Sequence, residues 1–99
     1  MNMKRIFKYP LKIEDKQTIC LPVGARILSL QAQNGVPCIW AIVDDEKKET
    51  SPVNVSMFGT GHPISDKEVS NRFAGTIQIG SLVLHVFFDY GNDITFLII

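Results

Sequence analysis

Cysteine, histidine and net charge are all scarce in this 99-residue chain, and each scarcity removes a class of function. There are two cysteines and two histidines. Cys20 and Cys38 have neither Cys-x-x-Cys spacing nor a paired-histidine motif beside them, so no zinc or other metal site is expected. Both cysteines read as small apolar side chains in a core. Ten basic and ten acidic residues cancel, leaving no positive field to hold a polyphosphate backbone. Generic nucleic-acid binding is therefore not expected. No apolar run approaches the roughly 20 residues of a membrane-spanning helix. Met1-Asn2-Met3-Lys4-Arg5 leads into a strand pattern without an apolar h-region, which predicts a cytoplasmic protein with reduced thiols. Internal repeats, low-complexity segments, an amphipathic helix period and any cofactor fingerprint are also missing.

What remains is ordinary globular composition, 45% hydrophobic and 20% charged, in a length that fits one domain over residues 1–99. The stretch from Leu28 to Asp44 anchors the reading. Leu28, Leu30 and Ala32 alternate with Ile27, Ser29, Gln31 and Gln33. Asn34-Gly35 then supplies two residues that tolerate positive φ, as a type I′ hairpin turn requires. The return strand, Cys38 to Val43, is apolar on both faces, which predicts a central or doubly covered strand. Further strands are predicted over Lys4–Tyr9, Gln17–Leu21, Val53–Phe58, Arg72–Ile79 with Gly75 as a bulge, Leu82–Phe88 and Ile94–Ile99. Pro10 ends the first of these or places it on an edge. Asp44 to Glu49 reads as a solvated hairpin tip. Ile64 to Asn71 has room for one helical turn, capped by Ser65 with Glu68 three residues on. About seven or eight short antiparallel strands predict an all-β sandwich or small barrel. Too many strands have two apolar faces for one short chain to bury, and a homo-oligomer is expected.

One loop is a candidate ligand site. In Phe58-Gly59-Thr60-Gly61-His62-Pro63, two glycines would let backbone N–H groups converge on phosphate or carboxylate oxygens, with Thr60 adding a hydroxyl and His62 a titratable donor. Gly-x-Gly equally makes a plain turn, and no helix or lysine follows as in a phosphate loop. Trp40, ahead of Tyr9, Phe58 and Phe73, is the aromatic best suited to stack on a planar ring; core packing is the alternative for each. Arg72 and Lys67 are the cations at hand. His85, mid-strand, reads as a hydrogen-bonded cross-strand histidine. Ser29, Ser56 and Ser81 stand in no nucleophile-elbow context, and no paired carboxylates lie outside the charge run. No catalytic residue is assigned and no enzyme is expected.

The blocks Gln33-Asn34-Gly35-Val36-Pro37-Cys38-Ile39-Trp40-Ala41 and Gly59-Thr60-Gly61-His62-Pro63 resemble a family of small phage and prophage proteins of unknown function. Lys8-Tyr9-Pro10-Leu11 and Leu84-His85-Val86-Phe87 extend the likeness over about residues 3–88, with Asp89 to Ile99 beyond the usual family end. The resemblance implies a phage-encoded protein in the bacterial cytoplasm and brings no activity, cofactor or catalytic residue. The expected function is a small oligomeric binder of an anionic, nucleotide-like ligand, sequestering a host defence signal with Trp40, Phe58, Gly59, Thr60, Gly61, His62 and Arg72. The alternative is a protein–protein interaction module, a virion or assembly accessory or an inhibitor of a host protein. A hydrolase using His62 and His85 is the third reading.

Overall fold

The computed structural model describes residues 3–90 and, for the backbone, 97–98. Eight strands and one short helix follow in chain order: β1 Lys4–Pro10, β2 Lys16–Pro22, β3 Arg26–Gln33, β4 Val36–Asp44, β5 Thr50–Gly59, α1 Asp66–Val69, β6 Arg72–Ile79, β7 Leu82–Asp89 and β8 Leu97–Ile98. They form two packed sheets, a sandwich, the first of the two architectures the strand pattern allows. The first has order β1-β4-β3-β8 and the second β2-β5-β7-β6. All pairings are antiparallel except that of β8, which lies parallel to β3 at Arg26 and Ile27. Among the described residues the last strand is Leu97–Ile98, at an edge of the first sheet. The rest of the strand expected there (Ile94, Thr95, Phe96, Ile99) and the turn residues Gly91, Asn92 and Asp93 lie outside the described residues.

β4 is the central strand of the first sheet, as its two apolar faces require. Ile39, Ala41 and Val43 point inward and are buried. Cys38, Trp40 and Ile42 point outward between β1 and β3, where Cys38 is still buried. Asn34 (φ 52°) and Gly35 (φ 78°) close the β3–β4 hairpin in the left-handed region, as the Asn-Gly pair predicts. From the second sheet, Val53, Val55 and Met57 of β5 and Leu84, Val86 and Phe88 of β7 complete the core. Leu11, between the sheets, is buried and held by its N–H donating to the Pro37 carbonyl at 2.8 Å.

Three expectations need correction. Ile27, not Leu28, joins Leu30 and Ala32 on the inner face, because a bulge between Ile27 and Ser29 inserts one residue and shifts the alternation. The charge run is not a hairpin tip, since β4 and β5 belong to different sheets; it carries the chain across the sandwich. Asp44 at its start is buried, 3.8 Å from Lys4 Nζ and accepting from the Glu46 N–H. Cys20 is exposed, on an edge strand, while Cys38 alone is buried. The bulge expected at Gly75 is present, with the register of β6 shifting between Phe73 and Gly75 and Gly75 at φ 151°.

β1 is an edge strand that pairs, among the described residues, with β4 alone, and it carries exposed apolar side chains on opposite faces: Ile6 is 59% and Phe7 46% exposed. On its inner face Tyr9 packs against the core, while Phe7 stays half exposed.

Candidate functional site

The glycine-rich segment folds as a tight turn at the end of β5. The His62 N–H donates to the Gly59 carbonyl at 3.1 Å, and Gly61 takes φ 89° at the third position, as a type II turn demands. That bond uses one of the donors an anion-binding nest would need. The His62 ring folds back over Gly59: a Cβ at residue 59 would lie 2.9 Å from His62 Cε1, so glycine is what lets the ring seat there. His62 then lines a small pocket of about 160 Å³ with Ile13, Asp15, Met57 and Leu84.

Thr60 points to the other side of the sheet and is already engaged. Its hydroxyl is 2.8 Å from His85 Nε2, while the Thr76 hydroxyl is 2.9 Å from His85 Nδ1. Each hydroxyl either donates or accepts, so both imidazole nitrogens are satisfied in either neutral tautomer or in the cation. His85 is the hydrogen-bonded cross-strand histidine expected. His62 lies against the inner-face residues Met57 and Leu84, His85 on the outer face, so the two do not converge on one reaction centre.

Trp40 and Arg72 stand apart from this turn. Trp40 is on the outer face of the other sheet, opposite Lys8 and Ser29. Arg72 opens β6 in register with Phe88, where its charge acts on Tyr90. Burial pushes the Tyr90 phenol up to about 12, with Arg72 pulling the other way. Of the predicted set, the structure groups Phe58, Gly59, Thr60, Gly61 and His62 and separates Trp40 and Arg72 from them.

The larger cleft, about 420 Å³, is elsewhere. Residues 60–71 connect β5 to β6, which are separated by β7, so the connection passes over the outer face of the second sheet. α1 lies in this connection. Ser65 caps it: its hydroxyl accepts from the Glu68 N–H at 3.2 Å and donates to Glu68 Oε1 at 2.8 Å. The Ser65 bond, with the Lys16 charge adding, holds the Glu68 carboxyl below its usual range. Lys16 Nζ lies 3.6 Å from Glu68 Oε2 and ties the crossover to β2. Between them the cleft is lined by Lys16, Thr18, Asn54, Ser56, Lys67 and Asn71 among others. The Thr18 hydroxyl donates to Asn54 Oδ1 at 2.7 Å.

Of this cleft, the sequence marks Lys67 as a candidate cation and Ser65 and Glu68 only as the cap of a helical turn. The others come from four separate segments, each with ordinary polar residues. The available signal was the Asn54/Ser56 alternation on the face of β5 opposite its valines, which marks a polar outer face but not the α1 crossover above it.

No curated protein and no solved structure matches the chain. A family model does. Over residues 3–94 the chain belongs to the family described as domain of unknown function DUF7352.

Proposed function

We propose that the chain is a phage-encoded binding protein of the host cytoplasm that self-associates through β1 and acts by holding a guest molecule, not by chemistry. The observation that carries this reading is β1 itself, an edge strand with Ile6 and Phe7 both about half exposed on opposite faces and Met3 55% exposed beside them. An edge of this kind recruits another strand unless something blocks it. Charged residues usually do the blocking, and Lys4, Arg5 and Lys8 are present. Two of these charges are compensated within the chain, however: Arg5 Nε lies 2.9 Å from Asp45 Oδ2, and Lys4 reaches Asp44. A second copy paired antiparallel across β1 would continue the sheet and cover both apolar side chains. Phage origin and a cytoplasmic site are supported by the resemblance of the Asn-Gly-Val-Pro-Cys and Gly-Thr-Gly-His-Pro blocks to small phage proteins. Capture of a nucleotide-like host defence signal is the use such an oligomer would serve.

Light scattering on the eluting protein at about 100 μM tests the self-association. A mass of two or more chains of 11.1 kDa is the expected result.

One observation favours a second reading, the interaction module: the third cation of β1, Lys8, donates to the neutral Gln33 Oε1 at 2.8 Å, and its charge suits an acidic strand of a host protein. A single stoichiometric host partner whose binding is lost when β1 is altered would replace the self-pairing reading.

A further inference from the structure

The strand register lines up a row of side chains on the outer face of the second sheet. Lys16 of β2 pairs with Ser56 of β5, Ser56 with Phe87 of β7, and Phe87 with Phe73 of β6. One end of this row is the polar cleft beneath α1. The other end is aromatic. Phe73 and Phe58 both pack edge-on against Phe87, at 5.3 Å and 5.8 Å between ring centres. This fixes the Phe73 ring, yet Phe73 remains 53% exposed. An ordered, half-bare ring on a sheet face is a stacking platform for a planar ligand. Asn71, two residues before Phe73, lines the cleft and joins the two ends. Adjacent strands are roughly 5 Å apart, so Ser56 and Phe73 are about 10 Å apart, close to the span from a base to its sugar's 5′ substituent.

We infer that this face is a binding site for a nucleoside or nucleoside monophosphate, its base stacked on Phe73 and its sugar and phosphate in the cleft beneath α1. The polar lining suits the sugar: the Asn54 amide, the buried Ser56 hydroxyl and the Asn71 amide supply donors and acceptors in the space a hydroxylated ring would fill. The charges suit at most one phosphate. Lys16 and Lys67 provide two cations, while Glu68 and Asp89 line the same cleft and offset them. A triphosphate gains nothing here. The inference shares the binder reading proposed above but is independent of β1 and of self-association.

Amide chemical-shift mapping of the full chain with AMP, adenosine, ribose 5-phosphate and ATP, each to about 5 mM, tests it. Saturable shifts at Thr18, Asn54, Ser56, Asn71 and Phe73 are expected with AMP and adenosine, weaker ones with ribose 5-phosphate, and no tighter binding for ATP than for AMP. Phe73→Ala weakens AMP about tenfold, while Phe73→Trp keeps the affinity. Lys67→Ala weakens AMP more than adenosine. Both substituted side chains are exposed, so these variants fold. The inference is overturned by an absence of saturable shifts, by shifts confined to Gly59–His62 or to β1, by ribose 5-phosphate binding as well as AMP, or by a Phe73→Ala chain that binds AMP unchanged. AMP binding at this face by a chain that stays single at every concentration retains this site and removes the self-association reading instead.

Discussion

Phe88→Ala is expected to remove most of the stability of the fold. Phe88 is 1% exposed, lies in register with Val55 on one side and Arg72 on the other, and packs with Tyr90 at 6.3 Å between ring centres. Both of its neighbouring strands close around it, so the vacated space cannot collapse. Removing a phenylalanine from such a site costs about 3–5 kcal/mol. A domain of this size has a total stability near the lower end of the usual range of about 5–15 kcal/mol. The loss is therefore comparable with the whole. Urea unfolding followed by Trp40 fluorescence measures it, and also tests cooperativity, because Trp40 is in the opposite sheet from the substitution. The midpoint should fall by at least about 2 M, or vanish. An alanine variant with the parent midpoint would mean that the two sheets do not share one core.

The second large effect is on assembly. Ile6→Glu combined with Phe7→Lys is expected to yield a single chain of 11.1 kDa where the parent gives a multiple. Neither side chain belongs to the buried core, so the fold is retained. Between copies, the pair would place charges on both faces of the strand that a partner must cover. Burying either charge unpaired costs several kcal/mol, enough to weaken association by about a thousandfold or more. Val36→Glu serves as the control: Val36 is also exposed, at 40%, but lies at the β3–β4 turn, away from the β1 edge, and its substitution should leave the mass unchanged. If the β1 variant keeps the parent's mass, the seam is elsewhere.

Local patterns in the chain carried most of the fold and little of the site. Asn34-Gly35 can hardly be read except as a tight hairpin, and β4, apolar on both faces, had to be central. Ser65 and Glu68 announced α1 because capping is a contact between near neighbours. What failed were features set by distant partners. The bulge after Ile27 moved one leucine out of the core face and one isoleucine into it, and strict alternation cannot reveal an inserted residue. The role of the acidic stretch as a link between sheets depends on the pairing of β5 with β2 and β7, which no local pattern encodes. The glycine turn drew attention because its residues are consecutive, and the structure does give it a conformation only glycine favours, at Gly61. Trp40 was read with it on chemistry alone, and the two prove to be on different sheets. Lys16, Ser56, Phe87 and Phe73 line up only through three strand pairings, which is why the row was invisible before the topology was known.

Amide hydrogen exchange along β1 tests the proposed seam most directly. Among the described residues β1 pairs with β4 on one side only, so every second N–H between Lys4 and Tyr9 points away from the sheet. In a self-paired assembly these outward amides are protected at about 100 μM and lose protection on dilution or in the Ile6→Glu/Phe7→Lys chain. Exchange at the unprotected rate, whatever the concentration, would contradict the account.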